Sequence, residues 1–229
     1  MSAKFVLSVI VQTTLWLGVM ALVLFLAAGN WRWPGGWAFM AIFGIGSIAF
    51  IAWLGPRDPA LLQSRMDISA RKEQPWWDKL FLFVFIGFWF VWMAGMAIDA
   101  ERWHLSHVPV WLQAVGGVLI IAGFTATMRV FAANSFAAPN IRVQSDRDQH
   151  VIDTGPYAWV RHPMYASAAL YLVGLPLLLG SWWGFIGSAV FMLGMSVRSI
   201  GEENTLKREL PGYAEYMTRV RYRLVPGVF

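Results

Sequence analysis

Long uninterrupted apolar runs dominate the first 133 residues of the chain. A helix needs about 20 consecutive apolar residues to cross the hydrocarbon core of a bilayer. Four runs qualify as spans, at residues 5–28, 37–54, 80–98 and 110–133. They show no alternation of apolar and polar positions, and open sheet edges are not tolerated in lipid. The pattern therefore predicts four membrane-spanning helices.

A fifth apolar stretch covers residues 165–197 and is too long for one span. It is broken at Gly180-Ser181, which predicts a helical hairpin with arms at 163–179 and 182–197. Each arm is near the lower limit for crossing a bilayer, so we expect five or six crossings. The predicted fold is an all-α, polytopic membrane helix bundle whose last two helices form a hairpin. Residues 1–133 would form the N-terminal spans, and residues 134–229 a catalytic region.

Basic residues are concentrated in alternate connections, which predicts how the bundle is oriented. They are Arg57, Arg65, Arg71, Lys72, Lys79, Arg142, Arg147, Arg161, Lys207, Arg208, Arg219, Arg221 and Arg223. The other connections carry only Arg32 and Arg102. By the positive-inside rule, both termini and the basic connections face the cytoplasm, where a cofactor site would also lie. Six crossings satisfy this arrangement, and the short connections favour a bacterial inner membrane.

Composition supports a membrane protein and excludes several kinds of chemistry. Of the 229 residues, 58% are hydrophobic and 14% charged, with 14 Trp and 16 Phe, whereas soluble domains have about 25% charged residues. The chain has no cysteine, so disulfides, zinc-thiolate sites and cysteine nucleophiles are excluded. The net charge of +5 indicates contact with anionic membrane lipids rather than with nucleic acid.

Familiar catalytic and cofactor motifs of soluble enzymes do not occur in the sequence. There is no glycine fingerprint for a dinucleotide, no phosphate loop and no nucleophile elbow. His104 and His107 have the spacing of a metal pair, but no third ligand is suitably placed, so we expect no metal. A cofactor would therefore have to be held by the helix bundle and its connections.

The first candidate cluster for chemistry lies just before the fifth apolar stretch. Gly155-Pro156 indicates a turn, and Pro163 suits the first position of a helix. His162 precedes a proline and is therefore disfavoured in helical conformation. The free N–H groups at such a helix start favour a carboxylate or phosphate, with His162 and Tyr165 beside it. Alternatively, the aromatic and basic residues here only anchor the chain at the membrane surface.

The second candidate cluster follows the last span. Arg198 and Glu202 are four residues apart and share one helix face, with Glu203 adjacent. This pair could simply be a basic side chain reaching out of the membrane toward a carboxylate. However, two adjacent carboxylates near an anionic membrane are unfavourable unless they meet a cation. A sulfonium or an α-amino group would be such a cation.

Four motifs together resemble the isoprenylcysteine carboxyl methyltransferase family and its bacterial relatives. They are Gly-Pro-Tyr-Ala-Trp-Val-Arg-His-Pro-Met-Tyr at 155–165, Glu-Glu-Asn-Thr-Leu at 202–206, Gly-Tyr-Ala-Glu-Tyr at 212–216 and Arg-Leu-Val-Pro at 223–226. The resemblance covers about residues 144–226. It implies a helical membrane enzyme that encloses S-adenosylmethionine on the cytoplasmic side. Its acceptor would be a lipid-like or prenylated small molecule that comes from the bilayer.

The resemblance also implies roles for individual residues. The cofactor would be contacted by Gln144, His150, Val151, Ile152, Tyr157, His162, Pro163, Met164, Tyr165 and Glu202. Arg198 would face the methyl acceptor and orient a carboxylate by a charge-assisted hydrogen bond. Methylation of a carboxylate needs no general base. An amine acceptor would need one, and Glu203 or His162 are the candidates.

Several alternatives remain open from the sequence. The acceptor could be a prenylcysteine carboxylate, a phospholipid amine or an isoprenoid or quinone-like molecule. Sterol-type reductases that use NADPH resemble the same C-terminal pattern, but Glu202 and Glu203 disfavour a phosphate-bearing cofactor. A membrane scaffold or transporter component is a third alternative, although the spans contain almost none of the ionisable residues that line transport pathways. The sequence does not predict the oligomeric state.

Overall fold

The computed structural model describes residues 3–66, 74–137, 139, 141 and 143–229. Over these residues the chain forms α-helices and short helical turns, without strands. The helices are α1 (Ala3–Ala28), α2 (Pro34–Arg57), α3 (Pro59–Met66), α4 (Trp76–Ala97), α5 (Val110–Ala133), α6 (Pro163–Leu179), α7 (Gly184–Glu209) and α8 (Tyr213–Arg219). Arg71, Lys72 and Arg142, which entered the charge argument, lie outside the described residues.

Five helices are long and apolar enough to cross a membrane, which confirms the predicted helix bundle. They are α1, α2, α4 with its π-helical continuation Ile98–Arg102, α5 and α7. The sixth, α6, has 17 residues and agrees with the predicted first arm of the hairpin. The second arm, α7, continues as helix to Glu209, which agrees with the prediction that Arg198 and Glu202 share one helix face beyond the span. This extension carries Arg198, Glu202 and Glu203 out of the apolar part of the bundle.

Three connections meet at the end of the bundle opposite the candidate clusters. Asp99, after α4, accepts hydrogen bonds from Ser106 at 2.7 Å and from Ser181, after α6, at 2.5 Å. Asn30, after α1, donates to Glu101 at 2.6 Å. The starts of α4 and α6 and the ends of α5 and α7 therefore share the other end of the bundle. That this end faces the cytoplasm stays a prediction.

Close packing of α6 against α5 determines where the start of α6 lies. A Cβ atom added to Gly116 would come within 2.5 Å of the Gly174 carbonyl oxygen. Such close approach of backbones is typical of small residues at helix contacts in membranes. Gly180, with φ at 84°, ends α6 in the left-handed conformation. α6 is thus fixed along most of its length, and its first residue, Pro163, has a defined position at the site end.

Candidate active site

A cavity lies where α6 begins and α7 leaves the apolar bundle. We call it the α6 cavity. Its wall consists of Asn134, Phe136, Ala137, Ile141, Gln149, His150, Val151, Ile152, Tyr157, Arg161, His162, Pro163, Met164, Tyr165, Glu202, Leu206, Leu210, Tyr213 and Tyr216. The empty space, counted out to the open mouth, is about 790 Å³. Its wall mixes apolar, aromatic and charged side chains, as is typical of ligand-binding sites.

The wall of the α6 cavity contains nine of the ten residues predicted to contact a cofactor. These are His150, Val151, Ile152, Tyr157, His162, Pro163, Met164, Tyr165 and Glu202. The remaining one, Gln144, does not line the cavity, and neither do Arg198 and Glu203, which were predicted to act on the acceptor. The structure therefore brings the two predicted clusters together but places three of the predicted residues behind the wall.

The C-terminal tail holds the turn that precedes α6. The backbone N–H groups of Arg161 and His162 donate to the carbonyl oxygens of Tyr222 and Arg223, each at 2.9 Å. His162 has φ −122° and ψ 63°, which is not helical, as expected for a residue before proline. Pro163 then opens α6. The tail thus orients the side chain of His162 at the cavity.

The start of α6 offers fewer free N–H groups than the sequence suggested. Pro163 has no N–H group, and the N–H groups of Tyr165 and Ala166 both donate to the His162 carbonyl oxygen, at 3.0 and 3.1 Å. Within the described part of the chain, this leaves the Met164 amide without an acceptor. A carboxylate bound at this helix end would therefore need further donors from other parts of the cavity.

Glu203 is bound to three side chains of the protein. Its Oε1 atom accepts from Arg161 Nε at 2.6 Å and lies 3.2 Å from His162 Nε2, and its Oε2 atom accepts from Arg223 Nε at 2.9 Å. The Glu203 side chain is only 1% exposed. A carboxylate that is buried between two guanidinium groups is poorly suited to accept a proton from an acceptor. This geometry disfavours the general-base role considered for Glu203.

Glu202, in contrast, faces the α6 cavity and keeps one oxygen available. Its Oε2 atom accepts a hydrogen bond from the Tyr165 hydroxyl at 2.8 Å and lies 3.7 Å from His162 Nδ1. Among the described contacts its Oε1 atom has no partner. The rings of His162 and Tyr165 stack nearly parallel, with centroids 5.4 Å apart, and so hold both partners in place. Glu202 is therefore the carboxylate that can meet a cationic ligand.

Arg198 lies behind Tyr165 and is occupied by other groups of the protein. Its Nε atom donates to Asp78 Oδ1 at 2.8 Å, its Nη2 atom to the Pro139 carbonyl at 2.8 Å, and its Nη1 atom to the Tyr165 hydroxyl. Asp78 is fully buried and also accepts from Gln74 at 2.6 Å. Contact of Arg198 with the acceptor stays a prediction. Asp78 was not found from sequence, because nothing local distinguishes it from other acids in its connection.

Gln144 supports the loop that carries His150. Its side-chain N–H donates to the Phe136 carbonyl at 2.8 Å, and its Oε1 atom accepts from Arg147 Nη1 at 2.8 Å. Its backbone N–H donates to the Gln149 side chain at 2.7 Å. These bonds occupy its side chain away from the cavity. Gln144 therefore shapes the loop, and its contact with a cofactor stays a prediction.

Three tyrosines complete the wall, and two of them were not predicted. The Tyr216 hydroxyl donates to the Tyr157 carbonyl at 2.7 Å, and so attaches α8 to the turn before α6. Burial, together with the nearby Glu202 carboxylate, raises the pKa of Tyr157, which accordingly stays a neutral phenol. Tyr213 also lines the cavity, but its buried hydroxyl has no hydrogen-bond partner among the described residues.

Comparison with known proteins identifies the class of enzyme. The family model described as Phospholipid methyltransferase matches residues 111–211, which include α6, most of α5 and the whole of α7. No curated protein matches the chain. The chain is a membrane methyltransferase, the enzyme class predicted from its motifs. The match does not confirm the isoprenylcysteine family in particular, and it leaves the methyl acceptor undetermined.

Proposed function

We propose that the α6 cavity binds S-adenosylmethionine and that the protein methylates an amphipathic acceptor at the cytoplasmic face of the membrane. One observation carries the proposal: the cavity at the start of α6 has in its wall a carboxylate, Glu202, with one oxygen left for a cation. The methyltransferase class requires a methyl donor, and the chain has no recognisable soluble cofactor domain. The α6 cavity, which lies where α6 begins and α7 leaves the apolar bundle, is our candidate site for this methyl donor.

The residues of the wall suit the parts of this donor. Glu202 would bind the α-ammonium group, and His162, Pro163 and Met164 would surround the methionine end. Val151 and the neutral ring of Tyr157 would pack against the adenine. When bound, the donor would supply an electrophilic methyl group on a positively charged sulfur. Aromatic faces and a carboxylate attract such a cation.

The contribution of the protein to methyl transfer would be alignment and exclusion of water. The acceptor atom has to lie in line behind the methyl group, and fixing this geometry lowers the barrier by several kcal/mol. Asp78 holds Arg198, which donates to the Tyr165 hydroxyl, and this hydroxyl in turn donates to Glu202. We infer that Arg198 acts as a positioning residue through this chain of contacts. Glu203 would position Arg161 and His162 in the same way, because its Oε1 atom contacts both side chains.

A phospholipid amine is the acceptor that the charges around the site favour, although the motif resemblance favours a carboxylate. An acceptor carboxylate needs an uncompensated cation. The guanidinium of Arg198 is paired with Asp78, and that of Arg161 with Glu203. An amine must lose a proton during methylation, and His162, 3.7 Å from Glu202, is the side chain best placed to receive it. The match to phospholipid methyltransferases supports the same choice.

Calorimetric titration with S-adenosylhomocysteine tests the cofactor site. We expect micromolar binding by the detergent-purified protein, weakened about tenfold or more in Glu202→Gln and in His162→Ala. Glu215→Gln, which changes an exposed carboxylate outside the cavity wall, is the matched control and should bind normally. Folding of each variant would be checked by its unfolding temperature. Absence of binding by the folded wild-type protein would contradict the proposal.

Methylation assays with a donor labelled at the methyl group distinguish the two acceptors. Phosphatidylethanolamine vesicles and micelles of a farnesylated cysteine derivative would be offered separately to the wild-type protein. We expect label in the lipid amine, with less label in Glu202→Gln. Label recovered instead as a base-labile methyl ester of the prenylated cysteine would overturn the amine assignment and support the carboxylate.

A further inference from the structure

Tyr213 lines the α6 cavity, and the contacts described above give its buried hydroxyl no partner. The residue is 5% exposed, and its hydroxyl has no hydrogen-bond partner among the described residues. Leaving a buried hydroxyl unpaired is costly, so such groups usually mark an absent partner. The neighbouring Tyr216 differs, because its hydroxyl donates to the Tyr157 carbonyl at 2.7 Å. Tyr213 also lies just beyond residues 111–211, the part that matches the family.

Tyr213 and Glu202 both line the α6 cavity, and the ring of Tyr213 packs within an apolar cluster. Burial raises the pKa of its phenol, and the carboxylates of Glu203 and Glu202 raise it further. The hydroxyl therefore stays protonated and lies within electrostatic reach of both acids. Both oxygens of Glu203 are bound to other side chains, and one oxygen of Glu202 is bound to Tyr165. The phenol is therefore a hydrogen-bond donor that has no acceptor among the described residues.

We propose that the Tyr213 hydroxyl donates a hydrogen bond to the α-carboxylate of the methyl donor, while Glu202 binds the α-ammonium group. This assignment rests on the proposed function. The two groups of an amino acid share one carbon atom, so a ligand whose ammonium reaches Glu202 brings its carboxylate within a few ångströms. The start of α6 contributes the Met164 amide, and Arg161 is already bound to Glu203 and to two carbonyls of the tail. Tyr213 supplies the further donor that the carboxylate needs.

Two ligands that differ only in the carboxylate test this assignment. S-adenosylhomocysteine and its decarboxylated analogue would be titrated into wild-type protein and Tyr213→Phe. We expect Tyr213→Phe to bind S-adenosylhomocysteine about tenfold more weakly, as expected for one charge-assisted hydrogen bond. Its affinity for the decarboxylated analogue should equal that of the wild type. Equal loss for both ligands, or no loss for either, would overturn the assignment and leave the cofactor site intact.

Unfolding temperature without ligand separates a binding role from a structural one. Tyr213→Phe removes a hydroxyl that has no partner in the protein, so the unfolding temperature should stay the same or rise. Tyr216→Phe removes a bonded hydroxyl and should lower it, and Tyr222→Phe, a partly exposed tyrosine, is the neutral control. A lowered value for Tyr213→Phe would contradict the proposal. If the folded wild type bound neither ligand, the proposed function itself would fail, and the role of Tyr213 with it.

Discussion

Arg198 and Asp78 form a buried ion pair that joins α7 to the first turn of α4, with Nε and Oδ1 2.8 Å apart. The two side chains are 6% and 0% exposed. The pair therefore connects the N-terminal spans to the region that carries the α6 cavity. Because Arg198 also donates to the Tyr165 hydroxyl, which donates to Glu202, the position of α4 influences the cavity wall.

Asp78→Asn should destabilise the protein strongly. The variant leaves the Arg198 guanidinium buried without its counter-charge, and breaking a buried pair in this way typically costs about 3–5 kcal/mol. We expect a clearly lower unfolding temperature, measured by tryptophan fluorescence in detergent. Asp153→Asn is the matched control, because the Arg219–Asp153 pair at 2.9 Å is exposed and exposed pairs contribute little. Equal effects of the two substitutions would show that the buried pair has no special importance.

Glu202→Gln and Glu203→Gln should have different effects although the residues are adjacent. Glu202 faces the cavity, so its loss should weaken binding of S-adenosylhomocysteine about tenfold or more, with a small change in unfolding temperature. Glu203 neutralises Arg161 and Arg223, so its loss should chiefly lower the unfolding temperature. Calorimetry and thermal unfolding of the same preparations would measure both effects. The reverse pattern would contradict the roles inferred from the geometry.

Tyr165→Phe should affect turnover more than stability of the cofactor complex. The substitution removes the hydroxyl between Arg198 and Glu202 but keeps the ring that stacks on His162. Glu202 would still bind the donor but would be held less firmly, so the methyl group would be less well aligned with the acceptor. We therefore expect a fall in kcat of about tenfold with a smaller change in affinity for S-adenosylhomocysteine. Steady-state methylation assays would measure kcat and KM. An unchanged kcat would exclude a positioning role for this hydroxyl.

Much of the fold could be predicted from the sequence, because its signals are local. Apolar runs of sufficient length specify membrane helices, and the start of α6 at Pro163 follows from the conformational limits of proline and of the residue before it. The break at Gly180 could be predicted because glycine readily adopts the positive φ that ends α6. Each of these properties depends on a few neighbouring residues and can be inferred without knowing the tertiary structure.

The partners of the charged side chains could not be predicted, because they depend on which helices are neighbours. Asp78 pairs with Arg198 across 120 positions of sequence, and Arg223 reaches Glu203 only because the tail returns to the start of α6. Gln144 matched a family motif position, yet its side chain is bound within its own loop. The sequence therefore predicted residues that line the α6 cavity, but not which carboxylate keeps an oxygen without a partner among the described contacts.

Gly116→Ala should destabilise the bundle and disturb the cavity through α6. The new Cβ atom would lie 2.5 Å from the Gly174 carbonyl oxygen and from the Leu178 amide nitrogen. Neither backbone atom can move without moving α6, and such overpacking typically costs about 1–3 kcal/mol. We expect a lower unfolding temperature and weaker binding of S-adenosylhomocysteine, because Pro163 and its neighbours belong to the displaced helix.

Gly95→Ala is the matched control: no atom lies within 4 Å of its added Cβ, and the higher helix propensity of alanine gains up to about 1 kcal/mol. Its unfolding temperature should stay the same or rise. If Gly116→Ala behaved like Gly95→Ala, the contact between α5 and α6 would not determine the position of the site.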